Sequence, residues 1–109
     1  MQRMGQLIQL RPDKVDEYRR LHAAVWPEVL ARITICGIRN YTIFLRCPEM
    51  LLFATWEYHG DDFAADMNRM KADPVTQRWW QMTDPCQEPL ASRADGEWWG
   101  AMVEVFHHD

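Results

Sequence analysis

The chain reads as an α+β domain with ferredoxin-like β-α-β-β-α-β order, and three features of the sequence predict it. Two runs rich in β-branched and aromatic residues, 39–46 and 51–58, are separated only by Cys47-Pro48-Glu49-Met50, the pattern of a hairpin. A stretch with helical periodicity lies on each side of that hairpin, at 13–35 and 61–82. Shorter apolar runs, Gly5–Leu10 and Trp98–Phe106, open and close the order as strands.

The first strand alternates mildly and stops at Arg11-Pro12. Pro12 suits the first turn of a helix and Asp13 suits its positive end. That helix is expected to run to about Ile35 and stop at Cys36-Gly37. Pro27 removes one backbone hydrogen bond within it, so a kink is expected there; the other reading has Pro27 begin a second helix. At 100° per residue Val15, Tyr18, His22, Val25, Trp26, Val29, Leu30 and Ile33 share one face, with Lys14, Glu17 and Arg20 opposite. An imidazole therefore sits in the stripe that must be buried, with Tyr18 and Trp26 one turn away on either side. A buried polar ring without a partner costs about 1–3 kcal/mol. It is met either by a backbone carbonyl, the usual lot of a core histidine, or by a ligand pocket.

In the hairpin, alternation puts Tyr41, Ile43 and Leu45 on one face and Thr42 and Phe44 on the other. His59-Gly60 ends the third strand, and Asp61-Asp62 caps a helix with Phe63, Met67 and Met70 inward. Asp73-Pro74 breaks it and starts another, in which Val75, Trp79 and Met82 recur at helical spacing. Residues 85–96 are polar and irregular, long enough to be a loop that packs over something. Helices cover one face of the four-stranded sheet, and a second subunit is the natural cover for the other.

With 109 residues and 48% hydrophobic content the chain fits one domain, 1–109. The net charge of −4 without a basic run speaks against nucleic-acid binding, and no segment has the length of a membrane span. Three cysteines without metal-type spacing, together with seven methionines, fit a reduced cytoplasmic protein. His22, His59 and the terminal His107-His108 do not converge in any recognisable ligand spacing, so neither a metal nor another cofactor is expected. Ser92 lacks a nucleophile elbow, and five glycines form no phosphate loop, which weakens hydrolase and kinase readings.

What remains is one histidine among phenols and indoles. Six tryptophans exceed the needs of so small a core, and the adjacent pairs Trp79-Trp80 and Trp98-Trp99 can each bury one ring and present the other. Indole faces beside hydroxyls and an imidazole suit a sugar, which offers C–H patches to stack and alcohols to hydrogen-bond.

These pieces resemble the L-rhamnose mutarotase family. The likeness rests on Glu17-Tyr18-Arg19-Arg20-Leu21-His22, Trp26-Pro27-Glu28, Asn40-Tyr41, Leu51–Ala54, Gln77–Trp80, Thr83-Asp84 and Glu104–Phe106, which run in order along almost the whole chain. The resemblance implies a ferredoxin-like homodimer forming a dimeric α/β barrel, and interconversion of the α and β anomers of a 6-deoxy sugar. It places the proton-donor histidine on His22, for which the chemistry of ring opening suggests the role of general acid at the ring oxygen. It places the substrate contacts on Tyr18, Tyr41, Trp79 and Trp80. The segment His59–Ala72 looks longer than in the better-known members and Trp98-Trp99 differs from theirs, so L-fucose or another deoxyhexose stands beside L-rhamnose as expected substrate. Two other classes fit the same elements: a small dimeric oxygenase, cofactor-free or haem-linked, and a non-catalytic sugar-binding module.

Overall fold

A computed structural model describes residues 1–109. The elements in order are β1 (Gln2–Leu10), α1 (Val15–Ala23), α2 (Pro27–Ile35), β2 (Ile38–Arg46), β3 (Leu51–Tyr58), α3 (Phe63–Ala72), α4 (Pro74–Thr83), β4 (Gln87–Glu88) and β5 (Gly100–Ala101). Short 3-10 turns at Pro12–Lys14 and Asp84–Cys86 lead into α1 and out of α4. The architecture is α+β: one antiparallel sheet in the order β2-β3-β1-β4, with β5 also paired to β1.

Two expectations are corrected. The first helix is not one kinked rod. Ala24 leaves the helical region at φ −145°, Trp26 is extended, and Pro27 opens α2 as its first residue. A proline has no N–H to lose at that position, so a fresh start costs less than a kink. The second correction concerns the strand expected over Trp98–Phe106. Only Gly100-Ala101 pairs with β1, at Leu7 and Gln6, and one further bond runs from Met102 N–H to the Gly5 carbonyl at 2.8 Å. Beyond it Val103, Val105 and Phe106 are exposed and make no ladder, despite their β-propensity. Gln87-Glu88 pairs with Leu10 and Gln9, so the outer edge of β1 is shared by two short pieces instead of one strand.

The hairpin follows the alternation. Leu52, Ala54, Trp56 and Tyr58 are buried on the helix side of β3, where Ile8 and Leu10 of β1 join them. The register between β2 and β3 slips once: Arg39 opposes Glu57 and Thr42 opposes Thr55, which leaves Asn40 and Tyr41 together opposite Trp56. This is a β-bulge, with Asn40 at φ 53°, a left-handed value that asparagine tolerates. Gly37, at φ 84°, ends α2 as the sequence predicts.

Helix faces are set by what they bury. On α4 the buried residues are Thr76, Trp79 and Thr83, and Met82 is 43% exposed, so the helix is turned from its expected Val75–Met82 stripe. Asp73 caps α4 by accepting from Thr76 N–H (3.0 Å) and Oγ1 (2.7 Å), and its carboxylate meets Arg32 of α2 at 3.4 Å. The apolar core forms two clusters. Ile8, Leu10, Tyr18, Leu52 and Cys86 make one; Ile38, Trp56 and Tyr58 make the other, with Phe63, Met67 and Met70 packed against it. A recess lined by members of both opens between helices and sheet.

Candidate active site

The recess has a volume of about 1150 Å³, somewhat above the ordinary range of ligand sites. Tyr18, His22, Tyr41, Trp79 and Trp80 all line it, so the fold brings the five sequence-predicted residues to one cavity. They arrive from three elements: Tyr18 and His22 from α1, Tyr41 from β2, and the indoles from α4. Helical spacing puts Tyr18 and His22 on one face, and the bulge turns Tyr41 inward beside Trp56, ring centres 6.3 Å apart.

His22 is held on three sides. Its ring lies 4.2 Å from that of Tyr18, tilted by 35°, and meets the edge of Trp79 at 5.4 Å. Trp79 itself is braced edge-on by Trp26 at 5.2 Å. The His22 Nδ1 lies 2.9 Å from the main-chain oxygen of Tyr18. A carbonyl can only accept, so Nδ1 carries the hydrogen and the neutral ring keeps its lone pair on Nε2. Nε2 has no partner within the chain. A backbone carbonyl thus satisfies one nitrogen, as in an ordinary core histidine, while the ring also lines the recess. Burial lowers the pKa of His22 below its ordinary value, against the opposing pull of the Tyr18 carbonyl.

The phenols stay protonated. Burial raises the pKa of Tyr18, which is 5% exposed, and nearby Tyr41, Cys86 and Asp84 add to the rise. Tyr41 is 41% exposed by area, but that area faces the recess, and burial of its hydroxyl pushes the pKa up to about 12. Neutral phenols are hydrogen-bond donors across the physiological range.

Three further residues belong to the site: the sequence reading singled out the Trp98-Trp99 pair without a role, and it gave Asp84 and Gln87 none. Asp84 lines the recess half-buried, with its carboxyl pKa pushed up by burial, and makes no side-chain hydrogen bond or ion pair within the chain. Gln87, 4% exposed, donates from Nε2 to the Tyr18 hydroxyl at 3.1 Å. Trp98 Nε1 donates to Gln87 Oε1 at 2.8 Å, which seats the 85–96 loop against the site. A buried glutamine in a polar loop carries no periodic signal; only its pairing with Leu10 across the sheet places it. Of each tryptophan pair one ring is more buried than the other: Trp79 more than Trp80, and Trp99, which packs on the core, more than Trp98.

His59 and His107 lie away from the recess and pair with Glu57 and Asp109 respectively, each at 2.8 Å. No three His, Cys, Asp or Glu side chains gather in metal-binding geometry. No helix is long and apolar enough to cross a membrane.

Comparison with known proteins adds the family. The family model for L-rhamnose mutarotase matches residues 3–108. The L-rhamnose mutarotase of Oceanobacillus iheyensis is 31% identical over 109 residues, covering the whole of both chains. That of Escherichia coli O8 is 37% identical over 98 residues, 84% of this chain and 91% of its own. Among solved structures, the L-rhamnose mutarotase FA22100 of Formosa agariphila superposes with a TM-score of 0.80 at 19% identity, covering both chains fully. The tetracenomycin F2 cyclase of Streptomyces glaucescens shares the fold at a TM-score of 0.68 and 15% identity, over 99% of this chain and 96% of its own. The match along 3–108, together with relatives above 30% identity, shows that this chain belongs to the L-rhamnose mutarotase family, a family of anomer-interconverting isomerases.

Proposed function

We propose that the chain interconverts the α and β anomers of L-rhamnose, or of a related 6-deoxyhexose, by acid–base opening and closure of the pyranose ring at His22. The observation that carries this reading is a neutral imidazole with Nε2 free in a recess walled by indoles and phenol hydroxyls.

The chemistry needs one proton taken from the anomeric hydroxyl and one given to the ring oxygen, and both oxygens sit on the same carbon. Nε2 takes the anomeric proton, and the imidazolium so formed returns it to the ring oxygen as the carbon–oxygen bond breaks and the aldehyde forms. Rotation about the bond to the next carbon presents the other face of the aldehyde, and the same steps in reverse close the ring. His22 thus acts as general acid at the ring oxygen, in keeping with the proton donor the resemblance implies, but it starts each turnover as a base. General acid–base help of this kind is worth about 10²–10⁴-fold. Both forms of the ring must be reachable near neutral pH, which imidazole permits.

Tyr18 and Tyr41 donate to sugar hydroxyls. Trp79 and Trp80 supply apolar wall for the ring and its methyl group. Asp84, with no partner of its own, accepts from a sugar hydroxyl. The recess is larger than a monosaccharide needs, so the sugar occupies the His22 end. The reaction requires no cofactor, and the reading places the enzyme in the cytoplasm as a homodimer, two sheets packing their uncovered faces into a dimeric α/β barrel.

The test is saturation-difference proton NMR on equilibrated L-rhamnose, with L-fucose and D-glucose alongside. Irradiating one anomeric proton should bleach the other only when enzyme is present, most strongly for the physiological sugar. Absence of transfer with every 6-deoxy sugar overturns the activity.

A further inference from the structure

We propose that Trp98 and Gln87 form a positioning pair that fixes the direction of the Tyr18 hydrogen bond, so that the phenol can only donate into the sugar site. This rests on the reading of Tyr18 as a substrate contact and adds what sets its polarity.

The direction follows from the donor and acceptor types along the chain Trp98–Gln87–Tyr18. An indole N–H is a donor and nothing else. Trp98 Nε1, 2.8 Å from the side chain of Gln87, therefore demands the amide oxygen, and Oε1 must face Trp98. The amide NH₂ is then turned toward Tyr18, 3.1 Å away, and the phenol oxygen accepts. A hydroxyl that accepts from one side still has its own hydrogen to place. No acceptor for it exists within the chain, and Tyr18 lines the recess. Its hydrogen is left for a ligand oxygen.

The pair is built for rigidity. Gln87 is 4% exposed and its backbone is pinned to β1, with Leu10 as cross-strand partner and Arg11 N–H on the Cys86 carbonyl at 2.8 Å. Tyr18 is 5% exposed and packs with Ile8, Leu10, Leu52 and Cys86. Burial holds both side chains in place, so the isosteric turn of the Gln87 amide about its last bond is the one free variable, and Trp98 fixes it. Without the indole N–H the amide could flip, and its oxygen would then accept the phenol hydrogen and withdraw it from the site.

Gln87→Glu is the decisive variant. A carboxylate keeps the shape and accepts from both Trp98 and Tyr18, so hydrogen bonding inside the protein is preserved, but the phenol hydrogen is drawn away from the sugar. Trp98→Phe keeps most of the bulk and removes the N–H, and serves if the buried glutamate impairs folding. Anomeric exchange rates by NMR give kcat/KM for these, for Tyr18→Phe, and for the double variants, with thermal unfolding to confirm that each is folded. Tyr18→Phe should lower kcat/KM about five- to tenfold, the worth of one hydrogen bond. Gln87→Glu and Trp98→Phe should each cost a similar factor alone and almost nothing more in the Tyr18→Phe background. A purely structural role would leave their effects additive to that of Tyr18→Phe. Additive effects, or unchanged kcat/KM in both Gln87→Glu and Trp98→Phe while Tyr18→Phe is impaired, overturn the positioning pair and leave Tyr18 as a substrate contact. An unimpaired Tyr18→Phe removes that contact, and the pair with it.

Discussion

The Nδ1–H of His22 donates to the main-chain oxygen of Tyr18, one helical turn back, at 2.9 Å. In the proposed mechanism that bond gives the two ring nitrogens different duties: Nδ1 anchors and Nε2 reacts. The anchoring partner is a helix carbonyl and not a carboxylate, so no charge stabilises the imidazolium strongly, and the ring returns its proton readily. His22→Gln should keep the fold, because the ring is only half-buried and Trp79 and Tyr18 pack against other neighbours as well. Catalysed anomeric exchange should fall by about 10²–10⁴-fold. A folded variant with a near-normal exchange rate would remove His22 from the mechanism.

Burial lowers the pKa of His22 below 6.5, and in the proposed mechanism the neutral form begins the reaction. Activity should therefore be flat through neutral pH and decline on the acid side, with one proton lost per turn-off and a midpoint below 6.5. The same sign applies to stability. The folded state disfavours the charged ring, so the unfolded chain binds the proton more readily between the folded pKa and 6.5. Stability contributed by His22 is whole above 6.5 and is lost as pH falls through the folded value. A kcat/KM profile whose acid limb has its midpoint above 6.5, or one that persists in His22→Gln, contradicts the assignment.

How much of this was legible beforehand depends on whether local or long-range physics sets the feature. Periodicity and proline chemistry located α3, α4, β2 and β3 to within about two residues, because those signals are local. The choice of Tyr18, His22, Tyr41, Trp79 and Trp80 as site residues came from the resemblance to the family, while periodicity put Tyr18 and His22 on one helix face and Trp79 on another. Arg39 could not be placed that way. Simple alternation would set it on the face of Tyr41, yet the bulge at Asn40 returns it to the face of Glu57. Gln87 and Trp98 meet across 11 residues of irregular loop, and no spacing rule reports such a contact. The terminal strand failed for a related reason: Val103 and Val105 have strand propensity but no neighbour in the chain to pair with.

The two adjacent indoles of α4 should separate stability from binding. Trp79 is 6% exposed and touches both His22 and Trp26, so Trp79→Ala opens a cavity worth about 3–5 kcal/mol and lowers the unfolding midpoint sharply. Trp80 is half-buried on the wall of the recess. Its replacement by alanine should leave the unfolding midpoint nearly unchanged and raise KM up to about tenfold, the value of one aromatic contact. Reversed outcomes would exchange the two roles.

Gly60 sits where β3 hands over to α3, and its missing side chain is required. A methyl there would run into the Tyr58 hydroxyl and the Asp66 carboxylate, which are hydrogen-bonded to each other. Asp66 is also paired with Arg69, and these partners hold its carboxyl below the usual carboxylate range. The Tyr58 hydroxyl in turn accepts from Asp62 N–H at 3.0 Å, next to the residue that starts α3. Gly60→Ala should destabilise by about 1–3 kcal/mol, as overpacking does, without altering the exchange kinetics of the remaining folded protein. Denaturant titration beside the NMR assay separates the two effects, and an unchanged midpoint would show that the contacts yield freely.

The face of the sheet turned away from the helices is the last element to test. Phe44 and Phe53 stack across the hairpin there, ring centres 6.3 Å apart, and Phe44 remains 57% exposed. Met102 lies against Gly5 and Phe53 on the same side, and Val103, Val105 and Phe106 continue it with 81% to 94% of their surface open. Large contiguous apolar surface of this kind is a mark of an interface. In a twofold dimer every residue of the patch is buried twice. Burying a phenylalanine fully is worth about 1.5–3 kcal/mol, and roughly half of that is still available at Phe44. Counted twice, Phe44→Glu should weaken self-association roughly 10–100-fold, before any cost of burying the new charge. Sedimentation equilibrium should show the parent as a dimer and the variant shifted toward monomer at the same concentration. A monomeric parent, or a variant that associates as tightly as the parent, would mean that this face is not the interface.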